Sequence, residues 1–204
     1  MTPEQVRTVR QVRLAGPRLA IREFRLAPED VHALFAVFGD PEAARYLPFE
    51  PRDEEECADQ IELYLDEAEQ DPRTVYRLAV TLREEGEEAL PIGSAVLGLE
   101  GHRAASLGCA LRRDTWGHGY AGEITALLCG FAFGTLGLHR LAARVDPANT
   151  ASARVLARAG FRQEGRIRHD QLLRGAWHDS LLFSLLEDEW VRPAAGDGWG
   201  QPHP

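Results

Sequence analysis

Between residues 112 and 122 the chain reads Arg-Arg-Asp-Thr-Trp-Gly-His-Gly-Tyr-Ala-Gly, a set of residue types suited to holding an anion. Gly117, Gly119 and Gly122 lack the Cβ atoms that would keep a ligand off the backbone, so successive N–H groups can turn into one concavity. A helix beginning here adds the positive end of its dipole beneath them. Arg112 and Arg113 bring charge to the same place. The chemistry is phosphate binding through the main chain. Read literally, the three glycines also spell the dinucleotide fingerprint GxGxxG, with Asp146 following about where a ribose-binding acid could stand. A third reading makes them only a tight strand-to-helix turn.

The charge distribution agrees with a small anion. The net charge is −9, but residues 1–100 carry 11 Arg against 22 acids, while residues 101–178 carry 11 Arg against 5, a local excess of +6. An acidic protein overall repels nucleic acid and acidic membranes, so neither is expected as a partner. All 23 basic residues are Arg, which removes Lys-based Schiff-base, P-loop and proton-transfer chemistry. Cys57, Cys109 and Cys129 form no CxxC pair and the seven His show no HExxH spacing, so no metal and no disulfide framework is expected. No apolar run approaches ~18 residues and residues 1–12 contain no apolar signal core, which points to a cytoplasmic chain without a membrane span.

The elements that must position the loop follow from hydrophobic period. Residues 19–26 read as a strand, 28–38 as an amphipathic helix opened by Pro28, and 53–70 as an acid-coated helix with Cys57, Ile61 and Leu65 at helical spacing. Residues 75–83 and 92–99 form a hairpin, and 106–112 is expected to pair antiparallel with it. Then the rhythm changes to a βαβαβ run: an apolar helix at 119–136, a strand at 139–145, a short helix at 149–159 closed by Gly160, and a strand at 161–167. A last hairpin turns at 174–177 and returns over 180–186. The dinucleotide reading fails on this order, because that fold opens with its GxGxxG unit and then needs several more parallel strands. Residues 1–16 read as an N-terminal extension, 17–191 as one domain, and the Pro- and Gly-rich residues 192–204 as a disordered tail.

The segments WGHGYAGE, GLHRLAARVDPANTASARVLARAGFRQEGRIR and GAWHDSLLFSLLEDEW, in this order and spacing, resemble the GNAT acyltransferase superfamily, in particular its RimJ/RimL-like branch of ribosomal-protein N-terminal acetyltransferases. The resemblance covers residues 17–191. It implies an α+β (mixed α/β) GNAT fold, with a splayed, mixed, mostly antiparallel sheet of about seven strands and about four helices. It also implies an acetyl-CoA-dependent N-acetyltransferase. The strands at 106–112 and 139–145 would part to admit the acetyl-pantetheine arm, and main chain at Cys109, Ala110 and Leu111 would bond it and polarise the thioester. Cys109 itself reads as a small buried hydrophobe rather than a nucleophile. The family's Q/R-x-x-G-x-G/A loop falls on Trp116, Gly119 and Ala121. Residues Trp116, Gly117, His118, Gly119, Tyr120, Ala121 and Gly122 would therefore bind the pyrophosphate mostly through the backbone.

The resemblance further implies that Asn149 bonds the pantetheine and that the Ser152 hydroxyl reaches the CoA sulfur, although N-capping of a helix explains both residues as economically. No Tyr stands between Asn149 and Gly160 to serve as general acid. The Glu that relatives carry before LG is Ser106 here, and the Glu expected beyond the GF-xx-EG strand falls on Gln171. Their neighbours His169 and Asp170 become the candidate base, while Glu123 reads as a support for helix or loop. The acceptor is a primary amine, on a protein N-terminus or a small molecule, with a homodimer left open. A catalytically weak CoA-binding module on the same fold is the alternative, supported only by the missing acids.

Overall fold

The computed structural model describes residues 6–86 and 88–191. The expectation for residues 192–204 lies outside them. Eight strands form one sheet: β1 (Arg13–Ala15), β2 (Leu19–Glu23), β3 (Val75–Leu82), β4 (Pro91–Gly101), β5 (Ala104–Leu111), β6 (Arg140–Val145), β7 (Arg162–Leu173) and β8 (Ala176–Leu186). Their order is β1-β2-β3-β4-β5-β6-β8-β7, and β5 with β6 is the one parallel neighbour pair among them. Four α-helices accompany the sheet: α1 (Pro28–Phe38), α2 (Glu54–Glu69), α3 (Tyr120–Cys129) and α4 (Thr150–Arg158).

Alternation along β3 assigns the helices to faces. Tyr76, Leu78 and Val80 pack with Ile124, Leu127 and Leu128 of α3 and Leu156 of α4. Ala79, between them, packs on the other side with Leu34, Val37 and Phe38 of α1 and Cys57, Ile61 and Tyr64 of α2. Proline at its first turn starts α1, and a reciprocal capping box between Asp53 and Glu56 starts α2.

The mixed, mostly antiparallel sheet expected at about seven strands has eight, with β1 within residues 1–16; Val12 and Leu14, 1% and 5% exposed, bury there while Leu14 pairs with Ile21. Two sequence expectations are corrected. The helix expected at 119–136 is α-helical only to Cys129 and then widens into a π-helical turn, Gly130–Thr135. Consecutive Phe131, Ala132 and Phe133 are all buried, more of the circumference than one α-helical face can cover. Finally, β7 runs on to Leu173 through two bulges. One of these sets four steps on β7, Ile167 to Gln171, against two on β8, Ser180 to His178.

The edge strand β7 is fastened to the sheet by Glu164, whose carboxylate accepts from Arg140 Nη1 at 2.9 Å and from the Ser184 hydroxyl at 2.7 Å. Arg140 first, then Ser184, hold this carboxyl at about 2, below its ordinary 4.5. A depressed acid stabilises the fold above its unfolded pKa and loses that contribution as pH falls through the folded value. The Glu164 side chain is 39% exposed, so solvent screening limits the effect to about 0.5 kcal/mol. Urea titrations should place wild type above Glu164→Gln at pH 6, with the difference shrinking below pH 4.5.

Candidate active site

The parallel pair β5 and β6 is joined at only three positions, Ala104 to Arg140, Ala105 to Leu141 and Ser106 to Ala142. Beyond them β5 stays with β4 as far as Leu111 opposite Gly93, and β6 stays with β8 as far as Val145 opposite Leu181. Residues 107–111 therefore turn the main-chain groups of one strand edge into a wedge-shaped gap. Cys109 reaches solvent there, a correction to the buried hydrophobe expected from the sequence. Protein still surrounds it closely enough that desolvation pushes its thiol up to about 11, so it stays protonated at neutral pH and is a poor nucleophile. The Leu111 carbonyl accepts from Trp116 Nε1 at 2.9 Å, which leaves Leu107 to Ala110 as the freer stretch of edge.

At the wide end of the gap stands the glycine loop. Gly117 and Gly119 have φ of +80° and +77°, conformations that L side chains rarely adopt, and Gly119 is the N-cap of α3 with no side-chain cap beneath it. The first N–H groups of α3, from Tyr120, Ala121 and Gly122, thus point out of the helix end toward any anion placed there. Gly122 has no positive φ and open space at its Cβ position, so the third glycine of the dinucleotide fingerprint does no close packing here. With an otherwise antiparallel sheet, that disposes of the dinucleotide reading.

Charged side chains hold the loop in shape. Glu123, 2% exposed, accepts from the main-chain N–H of Arg18 at 2.8 Å and of Leu19 at 2.9 Å, and from Arg18 Nε at 2.9 Å. Arg18 in turn donates to the His118 carbonyl at 2.8 Å and lies over the Tyr120 ring, on which His118 also stacks. His118 Nδ1 lies 2.9 Å from the Trp116 carbonyl, so its ring braces the turn. Arg112 is paired to Asp114 at 2.7 Å, which spends its charge locally and lowers the Asp114 pKa; Arg113 is the exposed one of the two. The donors present fit a pyrophosphate bound by main chain.

On the far side of the gap, Asn149 caps α4, its Oδ1 accepting from Ser152 N at 3.1 Å, and Ser152 is half-buried in the first turn. The cap engages the oxygen of the Asn149 amide and leaves its NH2 donors for another partner. The structure shows the N-cap role of this pair.

The α1–α2 connection and the β7–β8 hairpin meet beside the end of β6. Arg174 at the hairpin tip bonds the Arg45 carbonyl at 3.0 Å and Glu50 at 3.2 Å, and the Tyr46 hydroxyl reaches the Ala148 carbonyl at 3.5 Å. The structure separates the two candidate bases. His169 sits in the β7 bulge at φ 51°, its N–H held by Asp179 at 2.9 Å and its ring stacked on exposed Trp177. Asp170 turns the other way, with Oδ2 3.6 Å from Arg144 Nε. Not singled out from sequence is a third group: His178, whose Nδ1 lies 3.4 Å from Asp146 Oδ2. The register of β8 on β6 brings these two together across 32 positions, a contact that only strand pairing reveals.

The Acetyltransferase (GNAT) domain family matches this chain over residues 18–162. An uncharacterized N-acetyltransferase, p20 of Bacillus licheniformis, is 31% identical over 175 residues, 85% of this chain and 96% of that protein. The [ribosomal protein uS5]-alanine N-acetyltransferase of Escherichia coli is 31% identical over 88 residues, 43% of this chain and 45% of its own. The solved structure of Mycobacterium smegmatis RimJ in complex with CoA-disulfide superposes with a TM-score of 0.73 at 24% identity, covering 96% of this chain and 93% of that one, a likeness of fold.

Substitutions in the loop should divide by backbone conformation. Glu123→Ala strands two N–H groups and is expected to cost about 3 kcal/mol in urea unfolding. Gly122→Ala should preserve or slightly raise the melting temperature, since Ala is the better helix former. Equal losses in both would contradict the roles given to the two positions.

Proposed function

Because this chain belongs to the GNAT acetyltransferase family, we propose that it carries acetyl from acetyl-CoA to a primary amine by direct attack within a ternary complex. The observation that carries this reading is the parting of β5 and β6 beside the uncapped N-terminus of α3. The loop from Trp116 to Gly122 takes the pyrophosphate. The open edge of β5 around Cys109 and Ala110 pairs with the pantetheine amides as a further strand would and places a donor at the thioester oxygen, where negative charge develops during attack. Asn149 bonds the pantetheine through its free NH2, and the Ser152 hydroxyl faces the departing sulfur.

The amine enters from the α1/α2 face, where Glu50, Glu100, Asp146 and Asp170 accompany Arg144 and Arg174. A protein N-terminus and a small-molecule amine both suit this opening. The uS5-alanine relative makes an Ala-initiated peptide the first acceptor to try, with spermidine, for which a Vibrio cholerae N-acetyltransferase of the same fold is named, as a small-molecule contrast. No nucleic acid or membrane partner enters the proposal, and none of the described helices is long and apolar enough to cross a bilayer. A cytoplasmic location and a homodimer belong to the same reading, the latter checked by sedimentation velocity.

Calorimetry and thiol release test the assignment together. Wild type should bind acetyl-CoA and release CoA in proportion to added amine, which a mere CoA-binding module would not do. Gly119→Glu should abolish binding, since it forces a side chain at φ +77° and sets a negative charge against the pyrophosphate. Ser152→Ala should lower kcat while leaving the Kd for acetyl-CoA within a few-fold, whereas Asn149→Ala should weaken binding itself. Unchanged affinity in Gly119→Glu would refute the loop assignment.

A further inference from the structure

Asp146 follows β6 directly, at the end that has separated from β5, and precedes Asn149 by three positions. Its carboxylate is fixed: Oδ1 accepts from Ala148 N at 2.8 Å, which aims Oδ2 at His178 Nδ1, 3.4 Å away. His178 alternates along β8 with Ser180, Leu182 and Ser184. Leu181 and Phe183, between them, pack in the cluster that holds α3 and α4, so His178 faces the α1/α2 side from which the amine arrives. The imidazole is 42% exposed and Asp146 19%, leaving the ring accessible and the carboxylate largely enclosed. Tyr46, through the Ala148 carbonyl, brings the α1–α2 connection over the same point.

We propose that His178, oriented by Asp146, is the base that takes the proton from the attacking amine. The inference rests on the acetyl-transfer reading above. A carboxylate at Nδ1 keeps the ring proton on that nitrogen and leaves the Nε2 lone pair directed away from Asp146, the arrangement a general base requires. The attacking nitrogen gives its proton to Nε2 as its lone pair forms the C–N bond. The tetrahedral intermediate then collapses, the C–S bond breaks, and the thiolate takes a proton from the Ser152 hydroxyl, which regains one from water while the imidazolium loses its own to solvent. Asp146, just after β6, contacts the ring and neutral Gln171 is its cross-strand partner; the charged and titratable groups on the elements packed around it are Asp170 next to Gln171 on β7, Arg144 on β6 paired to Asp170, and Tyr46 from the α1–α2 connection at Ala148. His169, stacked on Trp177, belongs to the opposite face.

Two measurements test this. Nitrogen-15 NMR of the free protein should find neutral His178 protonated at Nδ1, against the Nε2 form that imidazoles favour in water; the Nε2 form would overturn the positioning role of Asp146. Thiol release with whichever of the Ala-initiated peptide and spermidine turns over faster should show kcat/KM falling on the acidic side. His178→Gln is expected to abolish that limb and lower kcat about a hundredfold, and Asp146→Asn to lower it about tenfold, both with the Kd for acetyl-CoA within threefold of wild type. An acidic limb that survives in His178→Gln, with kcat within threefold, overturns the proposal. A wild type that binds no acetyl-CoA overturns the acetyl-transfer reading and this inference with it, whereas binding and turnover in wild type with an indifferent His178→Gln refute the inference alone.

Discussion

Backbone hydrogen bonding sets the terms for this protein along one line, where β5 and β6 separate after three residue pairs. A strand edge facing the interior is costly unless its N–H and C=O groups find partners, because unpaired main chain buried from water forfeits about the worth of a hydrogen bond per group. Here the edge is kept open deliberately by its surroundings. β5 is held along its length by β4, β6 is held by β8, and α3 fills the connection between them. In the proposed function an extended, amide-bearing ligand completes the wedge. The parallel crossing also explains the placement of the glycine loop, since the connection that holds α3 and links two parallel neighbours must begin at the end of β5, at the mouth of the gap.

Guanidinium groups and carboxylates brace the glycine loop and the elements behind it. Glu123 satisfies two main-chain donors of the β1–β2 turn with one buried carboxylate, which ties the first turn of α3 to the opposite end of the sequence. The space around it is close: a Cβ on Gly16 would come within 2.6 Å of its oxygen. Asp30, wholly buried, takes Arg22 and Arg25 in the same way, and its pKa is lowered by these partners despite the opposing cost of burial. Arg73, 1% exposed, grips both oxygens of Glu23 while its plane covers Tyr76. A planar, forked guanidinium does this and an ammonium cannot, which gives the exclusive use of Arg a structural consequence.

Local signals carried the elements that local physics determines. Pro28 fixed the start of α1, and the glycine loop announced its backbone, because positive φ at residues 117 and 119 restricts residue choice directly. β1 was hidden, since three residues, Arg13 to Ala15, show too little alternation to be told from a tail. The candidate base was obscured for a related reason. The spacing of the resemblance leads to residues 169–171, but neighbouring strand residues point to opposite faces, as His169 and Asp170 do, and the bulge there shifts the register on β8, which no local count anticipates. The Asp146–His178 contact depends on register between distant strands, and register is set by the whole sheet rather than by either segment.

Amide hydrogen exchange reads, residue by residue, whether the separated strands seat the acyl donor, as proposed. Adding acetyl-CoA should slow exchange at residues 107–110 on β5 and at residues 117–122 of the loop, leaving the paired segment of β3 with β4 unchanged. Protection confined to other surfaces, or none at residues 107–110 while acetyl-CoA is bound, would contradict the account.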